Sequence, residues 1–260
     1  MKLEGLSAVV TGGASGLGAA AAEALAAAGA KVAILDLNRD VGEALAAKIG
    51  GLFRHCDVTN EVTVESALAS ARAAHGVERV LVNCAGVAIG QRTVRRDRET
   101  GAIIPHSLAA FEKVIAVNLT GTFYMMTQCA AAMMTLPPML PDGARGVIVN
   151  TASVAAQDGQ IGQIAYAASK GGVAAMTLPA ARDLAKDGIR VVAILPGLFD
   201  TPMFAGLPDE ARQALSAGVP FPSRLGKPAE YGALVRHICE NDMLNGECIR
   251  LDGAVRLAPR

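Results

Sequence analysis

The 260-residue chain has no tryptophan, three tyrosines and six phenylalanines, too few flat side chains for a base-stacking platform or an aromatic cage. It has no surplus of charge: 24 basic residues stand against 24 acidic ones, so no global field draws it to nucleic acid and no such partner is expected. The five cysteines, Cys56, Cys84, Cys129, Cys239 and Cys248, are odd in number, scattered and never spaced C-x-x-C. They read as buried thiols of a reducing compartment, not as a disulfide framework or zinc site. His55, His75, His106 and His237 lie far apart without ligand-like spacing, and no metal site is expected. Met1-Lys2-Leu3-Glu4-Gly5 runs straight into an apolar stretch with no basic leader or signal core, which points to the cytoplasm. Residues 114–141 carry no charge and have the length of a bilayer span. Asn118, Thr120, Thr122, Gln128 and Pro137-Pro138 interrupt them, so a helix buried against neighbours or a partner subunit is expected, with no membrane association.

What is abundant is apolar material. At 52% hydrophobic and 18% charged residues, the chain can bury a large core and is far from disordered composition. Its length suits one domain, residues 1–260. Short β-branched runs alternate with alanine-rich helical stretches, the pattern of βα units around a parallel sheet. The strands are expected at 7–11, 31–35, 52–56, 79–82, 146–150, 190–195 and 248–251. Helices are expected near 17–28, 41–49, 62–75, 108–134, 164–185, 208–217 and 229–240. Two segments break the rhythm: a polar, arginine-bearing one at 88–107 and a proline-punctuated one at 196–224. Both follow strands, and so belong at the carboxyl edge of the sheet, where open α/β folds bind ligands.

Directly after the first strand, Thr11-Gly12-Gly13-Ala14-Ser15-Gly16-Leu17-Gly18 opens a helix. Glycines there let the backbone turn tightly and bring its N–H groups against a pyrophosphate, although a plain βα turn has the same appearance. Asp36 ends the second strand 18 residues after Gly18. Its carboxylate can accept from adenosine ribose hydroxyls and would repel a 2′-phosphate; with Leu35 and Leu37 on either side, NAD is favoured over NADP. Alternatively, Asp36 caps the next helix. In Tyr166-Ala167-Ala168-Ser169-Lys170 the i, i+4 spacing places phenol and ammonium on one helix face. The cation is then expected to lower the phenol's pKa and make an acid/base for neutral pH. Ser153 lies thirteen residues upstream, after a strand, where its hydroxyl could hold an oxygen that develops charge. Asn118, a poor helix former in mid-helix, hints at a polar task or a satisfied buried amide.

In this order the motifs resemble the short-chain dehydrogenase/reductase family over essentially the whole chain. The resemblance implies a doubly wound Rossmann fold, a seven-stranded parallel sheet with helices on both faces. It implies a catalytic tetrad of Ser153, Tyr166, Lys170 and Asn118. Tyr166 would take the hydroxyl proton as hydride passes to the nicotinamide, Ser153 would steady the substrate oxygen, Lys170 would lower the tyrosine pKa and bind the nicotinamide ribose, and Asn118 would hold a water. The implied cofactor contacts are Gly12, Ser15, Gly16, Leu17, Gly18, Asp36, Leu37, Asp57, Val58, Asn83, Ala85, Gly86, Tyr166, Lys170, Pro196, Gly197, Phe199 and Thr201. Phrases such as Val219-Pro220-Phe221-Pro222-Ser223-Arg224-Leu225-Gly226 and Ile249-Arg250-Leu251-Asp252-Gly253-Ala254 are similar to the family's 3-hydroxyacyl-CoA dehydrogenase branch. That branch carries an insertion where residues 88–107 stand and a glutamine near the substrate carbonyl, here Gln160. The implied activity is NAD-dependent oxidation of a secondary alcohol, (S)-3-hydroxyacyl-CoA to 3-oxoacyl-CoA, by a homotetramer. A hydroxysteroid or other bulky secondary alcohol is the alternative substrate, and an NAD-binding scaffold the alternative role. The insertion's arginines, Arg92, Arg95, Arg96 and Arg98, are either CoA contacts or a solvated charge run.

Overall fold

Seven strands with almost uninterrupted apolar runs form one sheet in the computed structural model, which describes residues 1–202 and 209–259. They are β1 (Ser7–Thr11), β2 (Lys31–Asp36), β3 (Leu52–His55), β4 (Val80–Asn83), β7 (Gly146–Thr151), β8 (Ile189–Pro196) and β9 (Cys248–Leu251). Their order is β3-β2-β1-β4-β7-β8-β9, every neighbouring pair parallel. The central strands β1, β4 and β7 are buried throughout, as strands covered on both faces must be. The helices are α1 (Gly16–Ala27), α2 (Arg39–Ile49), α3 (Glu61–His75), α4 (Leu108–Ile115), α5 (Gly121–Met134), α6 (Ile164–Asp183), α7 (Asp209–Ala217) and α8 (Pro228–Glu240). One core layer joins residues of α1 and α8 to one face of the sheet, and a second joins residues of α3, α5 and α6 to the other. Order reverses between β1 and β4, and the carboxyl ends of the strands open into a crevice there.

Three expectations change on contact with the structure. The single helix at 108–134 is two helices joined by a π turn, Ala116–Thr120. The extra residue of that turn aims Asn118 at Val87, which explains the break. The uncharged stretch itself is core, with Met125, Cys129 and Met133 fully buried. Residues 88–107 are not loop alone: β5 (Val94–Arg96) and β6 (Ile103–Pro105) form an antiparallel hairpin outside the main sheet. Its tip is closed by Asp97, whose carboxylate accepts from the Glu99 and Thr100 amides and the Thr100 hydroxyl, which hold it down to about 2. Strand ends also shift by a residue, β4 running over Val80–Asn83 and β2 reaching Asp36. The start of the helix expected at 208–217 and part of the loop expected at 196–224 lie outside the described residues.

No helix among the described residues is long and apolar enough to cross a membrane. Nor does any group of three or more His, Cys, Asp or Glu among them have the arrangement to hold a metal ion.

Candidate active site

The glycine turn between β1 and α1 is built so closely that side chains cannot enter it. A Cβ at Gly12, which has φ of +61°, would stand 2.6 Å from the Ala85 nitrogen, and one at Gly18 would stand 2.1 Å from the Gly12 oxygen. Ser15 is the N-cap of α1 in extended backbone, yet its side chain makes no capping bond and no acid lies in the first turn. The amide donors and positive dipole end of α1 therefore face the crevice without a protein anion, which fits a pyrophosphate. Leu17 packs into the core beneath. Thr201 reaches over the turn from β8's loop: a Cβ at Gly16 would lie 3.5 Å from it.

Asp36 accepts from the Ala14 amide at 3.0 Å and from the Asn38 amide at 2.9 Å. It thus holds the glycine turn against the end of β2. The helix-cap alternative goes instead to Asn38, the N-cap of α2, which accepts from Val41. Leu37 is exposed, and the nearby Arg39 is paired with Glu43. Asp57 accepts from the Thr59 amide and hydroxyl, the latter holding its carboxyl below the usual range, and Val58 is buried beside it. Asn83 differs from its expected place: its amide donates to Asn150 at 2.9 Å and its oxygen accepts from Thr11, stitching β1, β4 and β7 inside the sheet. Phe199 likewise is core, 4% exposed, with the backbone of its loop bridged to Gly226. Pro196 ends β8, and the Gly197 amide donates to Leu251.

The four expected catalytic residues meet at the carboxyl end of β7. Ser153 follows that strand; Tyr166 and Lys170 stand on α6; Asn118 comes from the π turn. Asn118 is buried, its oxygen accepting from the Val87 amide and its nitrogen donating to the Val87 carbonyl and to Ser169 Oγ. Ser169 in turn donates to the Tyr166 carbonyl. Gly86 lines the same place, since a Cβ on it would lie 3.3 Å from Asn118 Oδ1 and 3.7 Å from Lys170 Nζ.

Lys170 is 5% exposed, and burial lowers its ammonium to about 8 while the Cys84 thiol partly restores it. Its Nζ donates to the Thr151 carbonyl at 2.6 Å and lies 5.9 Å from the Tyr166 ring centroid. The expected lowering of Tyr166 by this cation is overturned in the chain alone. Burial pushes the phenol up, and the group pulling it back is the Ser153 hydroxyl. Taking a phenolate out of water costs more than a cation directed at a carbonyl returns.

Gln160 lines the groove between its loop and the insertion, and its amide nitrogen donates to the Ala258 carbonyl in the C-terminal tail at 2.8 Å. The loop carrying it is clamped further. Pro259 accepts from the Ile161 amide, Gln91 of the insertion donates to Gly162, and Arg250 donates to Gln157 at 2.6 Å and Asp158 at 2.7 Å. Between this loop and the insertion lies a cavity of about 390 Å³ lined by Arg92, Val94, Gln160, Ile161, Ile164 and Ala167 among others. Arg95 and Arg96 instead bond the hairpin's own tip, at Asp97 and the Gly101 carbonyl. Sequence reading did not single out Thr151, Ser169, Tyr231 or Arg250 as site residues.

An uncapped glycine-rich helix start beside a buried serine, a buried lysine and a half-buried tyrosine defines a nucleotide-dependent oxidoreductase. The chain belongs to the short chain dehydrogenase family, whose model matches residues 7–212. It is 52% identical over 259 residues to the 3-hydroxyacyl-CoA dehydrogenase type-2 of Bos taurus and to that of Homo sapiens, covering 99% of this chain and 97% of each relative. The crystal structure of 3-hydroxyacyl-CoA dehydrogenase type-2 from Mycobacterium avium matches with a TM-score of 0.92 and 41% identity over 98% of both chains.

Proposed function

We propose that the chain is an NAD-dependent dehydrogenase that oxidises (S)-3-hydroxyacyl-CoA to 3-oxoacyl-CoA. The observation that carries this is the convergence of Ser153, Tyr166 and Lys170 beside the glycine turn; the names of its relatives supply the substrate class. When bound, NAD supplies the hydride acceptor. Gly12, Ser15, Gly16, Leu17 and Gly18 would hold its pyrophosphate, Asp36 the adenosine ribose, Lys170 the nicotinamide ribose and Thr201 the carboxamide. Asp36, with Arg39 already paired to Glu43, supports NAD over NADP.

Tyr166 takes the proton of the substrate hydroxyl as base, and its raised phenol needs help to do so near neutral pH. Tyr166 must be a phenolate before it can take that proton: the Lys170 ammonium favours this form, and the single Ser153 hydroxyl proton, directed at the phenol in the chain alone, can turn to the substrate oxygen. The Asn118 amide, engaged by Val87 and Ser169, fixes the crevice wall; the water expected beside Lys170 would fall to another atom of that turn. Arg92 at the cavity supports a contact with the CoA phosphates, and the apolar Val94, Ile161 and Ile164 a place for the acyl chain. The reading includes a cytoplasmic homotetramer: Leu108, Phe123, Ile164 and Leu178 expose apolar surface on α4, α5 and α6, and all five thiols are free.

The test is NADH formation by purified protein from (S)-3-hydroxybutyryl-CoA, compared with a 17β-hydroxysteroid and repeated with NADP. Fast turnover of the acyl-CoA with NAD is expected. Turnover of the steroid alone transfers the cavity to a bulky alcohol, and NAD binding without turnover of either overturns the catalytic reading.

A further inference from the structure

Lys170 is a buried ammonium whose place rests on one carbonyl, that of Thr151. What fixes the carbonyl comes from the opposite side of the sheet. Thr151 ends β7, and its Oγ1 lies 2.5 Å from the Asn83 carbonyl and 2.7 Å from the Tyr231 hydroxyl. A threonine hydroxyl has a single proton, and the Asn83 carbonyl can only accept, so Thr151 donates to Asn83 and receives from Tyr231. The Tyr231 oxygen is then left to accept from the Cys84 thiol at 3.3 Å. Cys84 Sγ also lies 3.3 Å from Thr151 Oγ1, so Cys84, Tyr231 and Thr151 form one polar cluster leading to the Asn83 carbonyl, in which each buried hydroxyl finds a partner.

Tyr231 is fully buried on α8, in the core layer shared with α1, whereas Lys170 stands on α6 in the other layer. It touches neither cofactor turn nor substrate cavity, and no active-site motif includes it. The titratable groups facing Lys170 are Tyr166 on its own helix, Cys84 after β4 and, through Thr151, Tyr231.

We propose that Tyr231 is a positioning residue of this active site, anchoring Thr151 so that its carbonyl holds the Lys170 ammonium in place across the sheet. The inference rests on the role of Lys170 in the proposed reaction, because a displaced ammonium would support the Tyr166 phenolate less. A tyrosine at this point keeps a phenylalanine-sized core contact and adds one hydroxyl, so Tyr231→Phe removes the anchor and little else.

The experiment has two arms. In cofactor-free protein labelled with ¹⁵N-lysine, the Lys170 Nζ signal, identified by its loss in Lys170→Arg, is titrated in wild type, Tyr231→Phe and Thr151→Val. Both variants are expected to move its midpoint. In the second arm kcat is expected to fall about three- to tenfold in either variant, the size of one lost hydrogen bond. The pH–rate plateau should narrow, and KM for NAD should rise alongside, because the displaced ammonium is also the one that would hold the nicotinamide ribose. The double variant should be no worse than the more severe single one, because the two act on one cluster. An unmoved Lys170 titration with a lowered melting temperature would make Tyr231 merely structural and overturn the proposal, as would additive losses in the double variant. A wild type inactive on every secondary alcohol would refute the proposed reaction, while the titration arm would still decide this inference.

Discussion

The cofactor side and the substrate side of this molecule are built by opposite means. On the cofactor side, the glycine turn, Asp36 and the start of α1 are joined by short connections, and the decisive contacts, such as Ala14 to Asp36, span about one βα unit. On the substrate side the loop before Tyr166 is held by the insertion, by Arg250 and by the C-terminal tail, with hydrogen bonds between residues 98 and 92 positions apart. Local geometry dictates the first, whereas the second exists only once the sheet has brought distant segments together. Chemistry, cofactor class and the likeness to 3-hydroxyacyl-CoA dehydrogenases are thus carried by short stretches of this chain, whereas the contacts that hold the loop before Tyr166 are not.

The largest effect should fall where the two sides meet. Tyr166→Phe is expected to lower turnover about 10²- to 10⁴-fold, the usual contribution of a general base, while NADH fluorescence shows unchanged cofactor binding. Retained turnover would remove Tyr166 from the chemistry.

Next comes the cofactor side itself. Gly18→Ala would press a methyl group onto the Gly12 carbonyl at 2.1 Å, which must open the turn. NAD affinity should drop on the order of 100-fold or more, since the anion-binding amides lose their aim. Calorimetric titration with NAD showing normal affinity would refute the tight-turn account.

The substrate side should break differently. Arg250→Gln removes donors to Gln157, Asp158, Asp252 and Val255. It leaves the partly buried Asp158 carboxylate without its ion pair, at a cost of about 1–3 kcal/mol, while Asp252 keeps Arg256 and the Ala254 amide. KM for the acyl-CoA should rise several-fold more than KM for NAD. Equal effects on both would mean that the clamp serves global stability alone.

Lys170→Met sharpens the contrast between function and stability. The folded ammonium titrates at about 8, below the ordinary 10.5, so between those values the unfolded chain binds more protons and wild-type stability rises with pH. Below pH 8 the burial cost is present in full. Lys170→Met should therefore be inactive yet melt higher than wild type at pH 7, the gain shrinking as pH climbs from 8 toward 10.5. A lower melting temperature at pH 7 would contradict this sign.

The smallest effect belongs to the hairpin. Arg95→Ala removes a solvent-screened pair with Asp97, and should leave both melting temperature and KM for the acyl-CoA unchanged. A marked rise would show that this guanidinium reaches substrate.

Particular elements show why some features were legible. β1, β4 and β7 read as strands because continuous apolar runs survive only where both faces are covered. The tetrad was legible because Tyr166 and Lys170 share one helix face and Ser153 sits at a strand end. The π turn was hidden: Asn118 looks like any weak helix former until Val87 is found across from it. Gln160 was placed near the substrate carbonyl by resemblance alone, and its bond to Ala258 was hidden because it joins segments that no local pattern connects. The lowering expected for Tyr166 failed for a similar reason, as spacing reports a neighbouring charge but not the burial that opposes it.

The parallel α/β architecture, the glycine-rich turn after the first strand, the carboxylate after the second and the i, i+4 placement of Tyr166 and Lys170 were all legible in the sequence. Each depends on periodicity or on separations within a few turns of chain. Tertiary structure alone decided where Lys170 points, which side chains hold Thr151 and Asn118, and how insertion and loop come to line one groove. Those outcomes depend on which polar groups become buried together, and a buried donor must take whatever acceptor the fold brings within reach.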